Sequence, residues 1–343
     1  MKKKKKHFIF ALTITLNSIL LIAQEAPMYL IDSIYTADPS VHVFNNKIFI
    51  YPSHDIKTEG VSAAEGGHYN MKDYHVFSME NIKSNVTNHG VALKLEDIPW
   101  ASKQLWAPDC EYRNGMYYFY FPAKDKNGIF KIGVAISEKP EGPFKPEKHP
   151  IHGSYSIDPN VFKDKDGKYY LYFGGISGGQ LQRYSDNVLL DYENEPIEEN
   201  ALSPKIALLD ESMIAFAEAP KDAIIIDENG MPLMGKDHDR RFFEGVWMHT
   251  YNEKYYLSYS TGNTHNLCYA IGDNPYGPFT YAGVLLSPVN GWTTHHSIVQ
   301  IDGKWYLFYH DTQNSNVNYL REVKVRELKY NLDGTIIKME GKD

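Results

Sequence analysis

Short apolar runs dominate the pattern of hydrophobic and polar positions along this chain, and five of them share one form. Each shared run is rich in Tyr, Phe, Ile and Leu and is opened by Lys or Met; the runs are residues 47–51, 116–120, 168–172, 254–259 and 304–309. A turn pair that contains Asn or Asp precedes each one, and another β-rich run precedes each turn. Such pairs of runs are typical of β-hairpins. Their repetition predicts an all-β propeller with one blade per unit.

Counting back nine or ten residues from each shared run locates where each unit starts. The predicted starts lie near residues 38, 107, 158, 244 and 295. They predict a five-bladed β-propeller in a single domain, residues 24–343. The starts are unevenly spaced, so we expect long loops at residues 55–72 and 200–240.

The amino terminus has a different pattern. Five lysines at residues 2–6 precede an apolar run at 8–23. This layout is typical of a secretory signal peptide, so residues 1–23 are predicted to be removed on export to the periplasm or the extracellular space. A single membrane anchor is the alternative, but the run is short for a span and contains Thr, Asn and Ser. We therefore predict no stable membrane span in the mature chain.

The composition of the chain limits the classes of partner that it can bind. Aromatic residues make up 14% of the chain, with 26 Tyr, which suits an ordered β-rich protein. Without residues 1–23 the chain has 30 basic and 43 acidic side chains, a formal charge of −13. That charge argues against nucleic acid or an anionic membrane as partner and is compatible with a neutral carbohydrate. The two cysteines, Cys110 and Cys268, are too few for a disulfide framework, and their pairing stays open.

Four titratable residues fall at or near the predicted unit starts: Asp38, Asp158, Glu244 and His295. Asp38 and Asp158 each precede a proline. One Asp-Pro pair is commonly a turn cap. A carboxylate that is buried is costly unless it is paired, and several at equivalent positions of a repeat favour a functional site. We therefore predict an active site on the propeller axis.

The segments that carry these residues resemble the blade starts of glycoside hydrolase family 43. They are Ala-Asp-Pro-Ser at 37–40, Ser-Ile-Asp-Pro-Asn-Val-Phe at 156–162, Phe-Glu-Gly-Val-Trp at 243–247 and Thr-His-His-Ser at 294–297. The resemblance covers about residues 35–332. It implies a five-bladed, inverting glycosidase that acts on xylose or arabinose linkages. It also implies that Asp38 is the general base, Glu244 the general acid, and Asp158 the carboxylate that orients the acid and tunes its pKa.

Inverting hydrolysis gives these roles a physical basis. One carboxylate activates water while a protonated carboxyl group donates to the leaving oxygen, and the two lie roughly 6.5–9.5 Å apart. A third carboxylate near the acid raises its pKa by like-charge repulsion, so that base and acid differ in protonation at one pH.

His295 is predicted to be the residue nearest a metal ion. Adjacent residues of a strand point to opposite faces, so only one of His295 and His296 can face the axis, and the repeat selects His295. The resemblance implies that this histidine lies near a hydrated cation, commonly calcium, or against the substrate. A single imidazole suits calcium poorly, so such an ion would be mostly water-coordinated. A histidine hydrogen-bonded within the core is the alternative. The chemistry itself is expected to require no cofactor.

Several other residues are predicted to contact the sugar. They are Trp106, Arg321, His54, Asp55, Phe243 and Trp247. Arg321 resembles the late arginine that reaches the sugar in family xylosidases, with a surface arginine as the alternative. Trp106 is favoured over Trp247 for stacking on a sugar ring, because a buried tryptophan is as often part of the core.

The predicted function is an exo-acting β-xylosidase, an α-L-arabinofuranosidase, or both, with xylo- or arabino-oligosaccharide as substrate. An endo-arabinanase of the same family is one alternative. A retaining fructan hydrolase shares the fold, but the chain lacks its Arg-Asp-Pro motif. A non-catalytic carbohydrate-binding propeller is the last alternative; it would be expected to have lost at least one of the three carboxylates.

Overall fold

The five shared apolar runs form the second strands of five antiparallel sheets. The computed structural model describes residues 26–342, so the predicted signal peptide at 1–23 lies outside the described residues. The first strands of the sheets contact one another in ring order, the fifth against the first. The sheets are therefore the blades of a five-bladed β-propeller, numbered 1–5 in chain order, and the predicted fold class is confirmed.

Each blade has four antiparallel strands, and the first of them lies nearest the axis. Blade 1 comprises Thr36–Phe44, Lys47–His54, Asp73–Met79 and Thr87–Lys94. Blade 2 comprises Asp109–Arg113, Met116–Asp125, Phe130–Ser137 and Lys145–Pro146, with Ala101–Lys103 added beside the second strand. Blade 3 comprises Asn160–Lys163, Tyr169–Phe173, Lys205–Leu208 and Lys221–Asp222. Blade 4 comprises Glu244–Tyr251, Lys254–Ser260, Leu267–Gly272 and Phe279–Leu286, with Ile225–Ile226 parallel to the last strand. Blade 5 comprises His296–Ile301, Lys304–Asp311, Glu322–Leu328 and Met28–Tyr29.

The ring is closed by strands from both ends of the described chain. Met28–Tyr29 pairs with Glu322–Leu328 and becomes the outer strand of blade 5. The first strand of each blade pairs only with the second strand, and its inner edge is protected because it lies between the first strands of the neighbouring blades around the axis.

The predicted long loops are only partly correct. Residues 55–72 form a long connection within blade 1 that contains one short 3₁₀ turn, as expected. Residues 200–240 are instead divided among three short strands of blades 3 and 4. The larger insertion is at 174–204, where a small hairpin, Tyr184–Ser185 with Val188–Leu189, leaves the blade. The strands at 200–240 were missed because they have two to four residues and little alternation. The 3₁₀ turns are Ala64–Gly66, Leu95–Asp97, Ser177–Gly179 and Leu181–Arg183.

Aromatic side chains fill the space between neighbouring blades. Of the twelve largest fully buried side chains, nine are tyrosines. The hydroxyl groups of seven of these donate to acceptors in other segments of the chain. Tyr51 of blade 1 donates to the Pro140 carbonyl of blade 2 at 2.8 Å, for example. A buried tyrosine thus contributes apolar area and one satisfied hydrogen bond. Cys110 and Cys268 are both buried and free. Within 26–342 we find no helix of the length and apolarity needed to cross a membrane.

Candidate active site

A cavity of about 350 Å³ opens where the five blades meet. It is lined by residues at or just before the first strand of every blade, so the count-back from the apolar runs does locate one site. Seven of the residues predicted from sequence line it: Asp38, Trp106, Asp158, Phe243, Glu244, His295 and Arg321. The loop at 55–72 contributes a further wall of the cavity, which includes Gly66 and Tyr69.

The three carboxyl groups lie at irregular points of the backbone. Asp38 and Asp158 have φ values of 51° and 58°, a region uncommon for residues other than glycine and restricted further by the proline that follows. The pairing of the first hairpin of blade 1 shifts register at Asp38, and that of blade 4 shifts after Glu244, where Gly245 has φ 70°. Bulges of this kind re-aim side chains and are frequent beside active sites.

Asp38 is held in its ionised form. Its Oδ1 lies 2.9 Å from Nη1 of Arg321, and the Ser53 hydroxyl donates to its Oδ2 at 2.7 Å. Burial by itself raises the pKa of a carboxyl group, but the Arg321 guanidinium, the neighbouring His310 and His295 and the Ser53 hydrogen bond together outweigh it and lower the pKa of Asp38 to about 2. Asp38 can therefore accept a proton over the whole ordinary pH range.

Asp55 determines where Arg321 points. Nε and Nη2 of Arg321 each donate to a different carboxylate oxygen of Asp55 at 2.8 Å, and the ring of Tyr69 lies 4.8 Å from the guanidinium carbon. This two-point pairing fixes the plane of the guanidinium and leaves Nη1 for Asp38. Asp55 was predicted to contact the sugar, but it does not line the cavity; it is a buried positioning residue for Arg321.

Glu244 has the opposite electrostatic setting. Burial raises its pKa first, and the charge of Asp38 raises it further, while a hydrogen bond from the Thr293 hydroxyl and the charge of Arg321 oppose them; the result is a pKa of about 7. Two carboxyl groups in one cavity thus differ widely in the pH at which they ionise, about 2 against about 7. Such a separation is what a paired general base and general acid require.

Asp158 is oriented by the backbone of the acid's own strand. The Gly245 N–H donates to Asp158 Oδ2 at 2.8 Å, and Nδ1 of His295 lies 4.0 Å from Oδ1. Burial, followed by the charge of Glu244, raises the pKa of Asp158 well above its usual value. Because ionisation of either member opposes ionisation of the other, Asp158 and Glu244 together retain a proton at near-neutral pH.

The comparison with protein families decides the class of this site. The model of the family described as Glycosyl hydrolases family 43 matches residues 33–336, which span all five first strands and the cavity. The chain belongs to glycosyl hydrolases family 43.

Similar proteins span the same length. A xylosidase/arabinosidase of Bacteroides ovatus is 57% identical over 92% of this chain and 98% of its own length. The solved structure of the β-xylosidase RS223 has a TM-score of 0.91 and 58% identity, covering 93% of this chain and 99% of that one. A family 43 β-xylosidase/α-arabinofuranosidase from a compost microbial metagenome, solved with xylotriose in a calcium-free form, has a TM-score of 0.90 and 57% identity, with 93% and 98% covered.

In this family 43 chain a histidine that sequence reasoning missed links the two carboxyl groups. The Asp38 N–H donates to Nδ1 of His310 at 3.0 Å, so that nitrogen carries no proton, and Nε2 donates to the Thr293 carbonyl at 3.2 Å. Burial, followed by the charge of Arg321, lowers the pKa of His310 to about 3, which keeps the ring neutral. Thr293 in turn donates its hydroxyl to Glu244. His310 directly follows the fifth apolar run, and that position was the signal for it.

Blade 2 also supplies a buried carboxylate that the count-back missed. Asp109 accepts hydrogen bonds from the Val161 N–H, from Asn160 Nδ2 at 3.1 Å and from the Ser40 hydroxyl, and it lies 2.6 Å from Nε2 of His42. It therefore ties the first strands of blades 1, 2 and 3 together and does not line the cavity. The repeat predicts that the second unit starts at residue 107, two residues before Asp109, which is the first residue of the observed strand.

Two predicted sugar contacts lie elsewhere. Nδ1 of His54 is 2.5 Å from Asp73 Oδ1, at the other end of the 55–72 loop, and the ring does not line the cavity. Trp247 is buried between blades 4 and 5, and its indole N–H donates to the Ile298 carbonyl at 3.1 Å. The bulge after Glu244 turns Trp247 into the core, so the structure does not support direct sugar contact by either residue.

The adjacent histidines divide as strand geometry predicts. His295 lines the cavity. His296 is fully buried on the other side, with Nε2 2.6 Å from the Ser258 hydroxyl. Of these two histidines, only His295 can therefore face a ligand or a hydrated ion in the cavity.

Proposed function

We propose that this family 43 glycosidase is an inverting, exo-acting β-xylosidase that also hydrolyses α-L-arabinofuranosides. The observation that carries the proposal is the difference in ionisation within one cavity, with a pKa of about 2 for Asp38 and about 7 for Glu244. The names of the relatives, xylosidase/arabinosidase and β-xylosidase, support the choice of sugars.

The proposed reaction follows from these protonation states. Asp38 takes a proton from a water whose oxygen attacks the anomeric carbon, while Glu244 gives its proton to the glycosidic oxygen. The bond to the leaving group breaks and the configuration at the anomeric carbon inverts. Exchange with solvent then removes the proton from Asp38 and returns one to Glu244. Asp158 keeps the proton affinity of Glu244 high, and Arg321 keeps Asp38 ionised.

The size of the cavity supports exo action. A volume of about 350 Å³ is at the lower end for small-molecule sites and accommodates few sugar rings. Trp106 and Phe243 on its wall offer aromatic faces for those rings. An endo-arabinanase would need an open groove with sites on both sides of the cleaved bond.

Calcium at the axis is part of the proposal, as an electrostatic partner and not as a reactant. Among the described residues that line the cavity, Arg321 is the one Lys or Arg side chain, and it faces three carboxyl groups. His295 would hold a hydrated ion through one imidazole and bound waters. Such an ion would offset the remaining negative charge. The test is to remove divalent ions with a chelator and then to return calcium alone. We expect kcat to fall in the first step and to recover in the second, and an unchanged kcat would contradict the role of calcium.

We also propose that residues 1–23 direct export. Mass spectrometry of the amino terminus of protein recovered from the periplasm or the medium tests this proposal. A mature chain that starts near Gln24 supports it, whereas an intact terminus in a membrane fraction supports the anchor alternative.

The anomeric configuration of the first product tests the mechanism. Proton NMR during the first minutes of hydrolysis of nitrophenyl β-D-xyloside should show α-xylose before mutarotation. The Asp38→Asn variant should lose nearly all turnover, while Asp166→Asn, an exposed turn residue of blade 3, should keep it. Initial release of β-xylose would contradict the inverting mechanism, and full activity of Asp38→Asn would contradict the role of the base.

A further inference from the structure

A second group of potential metal ligands lies at the base of the 55–72 loop. His54 is the last residue of the second strand of blade 1, and Asp73 is the first residue of the third strand. His75 lies two positions after Asp73, where the strand pairing shifts register, and its Nε2 lies 3.9 Å from Asp73 Oδ1. Two imidazoles and one carboxylate thus meet where the loop leaves the sheet and returns to it.

The spacing of the three side chains is that of a nearly closed ligand set. Nδ1 of His54 lies 2.5 Å and Nε2 of His75 lies 3.9 Å from Asp73 Oδ1, and one ligand atom from each of the three residues lies within 4.8 Å of the others. Ligands on one tetrahedral zinc are roughly 3.3 Å apart, since each bond is about 2.0–2.1 Å. Ring rotations that move the two ligand nitrogens by about an ångström would bring all three ligand atoms within bonding distance of one zinc ion. The three side chains are 14–26% exposed, so an ion can enter from solvent.

The hydrogen bonding of His75 favours a cation between its ring and Asp73. The Gly90 N–H donates to Asn88 Oδ1 at 2.8 Å, which orients that oxygen, and Nδ1 of His75 lies 3.3 Å from the same oxygen. The proton of a neutral His75 ring is then on Nδ1, and the lone pair of Nε2 faces the Asp73 carboxylate. A histidine whose second nitrogen donates to a carbonyl oxygen is the usual arrangement around a metal ligand.

We propose that His54, Asp73 and His75 bind one transition-metal ion of the zinc class, with water completing the coordination. Imidazole nitrogens with one carboxylate suit zinc, cobalt, nickel or copper and suit calcium poorly, so this site is distinct from the cavity in place and in selectivity. When the metal binds Nδ1 of His54, the proton on that nitrogen passes to solvent and Nε2 takes one up, so the ring remains a neutral imidazole ligand. Lys94, the cross-strand neighbour of Asp73, is paired with Glu96 at 3.4 Å.

The location gives the metal a consequence for the cavity. The ligands tie together the two ends of the loop whose residues Gly66, His68 and Tyr69 line the cavity. Asp55, which holds Arg321, directly follows His54. Binding is therefore expected to stabilise this loop and its contact with Arg321, and to raise the unfolding temperature as the metal concentration exceeds the dissociation constant.

Cobalt binding tests the proposal without reference to glycosidase activity. Tag-free full-length protein is dialysed against chelator and titrated with Co²⁺, whose visible absorption reports nitrogen and carboxylate coordination, and Zn²⁺ is then added as competitor. Wild type should bind one equivalent with micromolar affinity or better, and His54→Gln and His75→Gln should each weaken it at least tenfold. His89→Gln, which removes an imidazole from the same blade outside the cluster, is the matched control.

Each outcome decides the question. Loss of the cobalt spectrum in the two cluster variants but not in the control supports the site, as does a zinc-dependent rise of the unfolding temperature that the same variants lose. Absence of micromolar binding by wild type, or equal binding by the cluster variants, overturns it. Circular dichroism verifies that each variant is folded. Either result leaves the glycosidase proposal untouched.

Discussion

At the scale of single residues, neighbours decide what each carboxyl group can do. Asp38, which is buried, and Glu244, which is half-buried, line one cavity, yet the pKa of Asp38 is about 2 and that of Glu244 about 7. The difference comes from Arg321, which contacts Asp38 directly: its Nη1 lies 2.9 Å from Oδ1 of Asp38. Burial without a paired cation leaves Glu244 protonated.

The pH profile should therefore report Glu244. For xylobiose, kcat/KM is expected to fall as pH rises through about 7, because the acid loses its proton there. Glu244→Gln should lower the rate on xylobiose by about 10²–10⁴ and remove this alkaline limb. Nitrophenyl xyloside needs little protonation of its leaving group and should suffer less. An alkaline limb that persists in the variant, or equal losses on both substrates, would rule out Glu244 as the acid.

Arg321→Gln should move the acidic limb. Without the guanidinium, burial dominates and the pKa of Asp38 rises, so the base becomes protonated at a higher pH than in wild type. We expect the acid limb of kcat/KM to move from near pH 2 into the measurable range. The low pKa of Asp38 stabilises the folded state at pH values above the pKa of the same carboxyl group in the unfolded chain, and this stabilisation is lost as pH falls toward 2. The variant lacks this stabilisation and should therefore be less stable at neutral pH. Arg113→Gln, at a half-buried arginine that pairs with Glu211 outside the cavity, is the control. An unmoved acid limb in Arg321→Gln would contradict the prediction.

At the scale of elements, blade 5 shows how the ring is held closed. Lys324, on the third strand, pairs with Asp311, the last residue of the second strand, at 2.6 Å, and both side chains are fully buried. The Tyr29 hydroxyl, from the strand contributed by the other end of the chain, donates to Asp311 at 3.3 Å. The closing strand thus joins a buried polar cluster in addition to its main-chain pairing.

Breaking this pair from one side should be strongly destabilising. Lys324→Met leaves the Asp311 carboxylate buried without its cation, and we expect a loss of about 3–5 kcal/mol in the free energy of unfolding, measured with urea. The double variant Lys324→Met with Asp311→Leu should recover much of that loss, because no buried charge remains. A double variant that is less stable than Lys324→Met alone would contradict this prediction.

At the scale of the whole molecule, the cavity exists only because five blades close around it. Its wall combines the starts of all five first strands with the 55–72 loop. Each carboxyl group is fixed by its own sheet, so the separation between base and acid is a property of the ring and not of one element.

The product profile tests this enclosed shape. From xylotriose, the protein should release xylose and xylobiose first, and then xylose alone, because the cavity admits one end of the substrate. Polymeric xylan should yield xylose without intermediate oligosaccharides, as followed by chromatography. Early appearance of xylotriose or longer products from the polymer would indicate an open cleft and endo action.

The repeat made much of the fold and part of the site predictable. All five first strands begin within two residues of the predicted unit starts, because hairpin turns and alternating apolar runs are local signals. The strands of blade 3 beyond the second were missed because they are short and their pairing comes from distant segments. Asp55, His54 and Trp247 were placed in the cavity by sequence proximity, but the loop and the bulge carry them elsewhere.

The chain by itself therefore determined the number of blades, the ring positions of Asp38, Asp158, Glu244 and His295, and the family resemblance, since these depend on local pattern and on spacing within repeats. Only the tertiary structure decided that Arg321 ionises Asp38, that Asp55 aims Arg321, and that His310 bridges Asp38 to Thr293. The contacts of Arg321 with Asp55 and Asp38, and that of His310 with Asp38, join residues 266–283 positions apart. The contact of His310 with Thr293 joins the end of the second strand of blade 5 to the segment before its first strand. The physical reason is that pKa values depend on burial and on charges within a few ångströms, and neither is readable until the ring has closed.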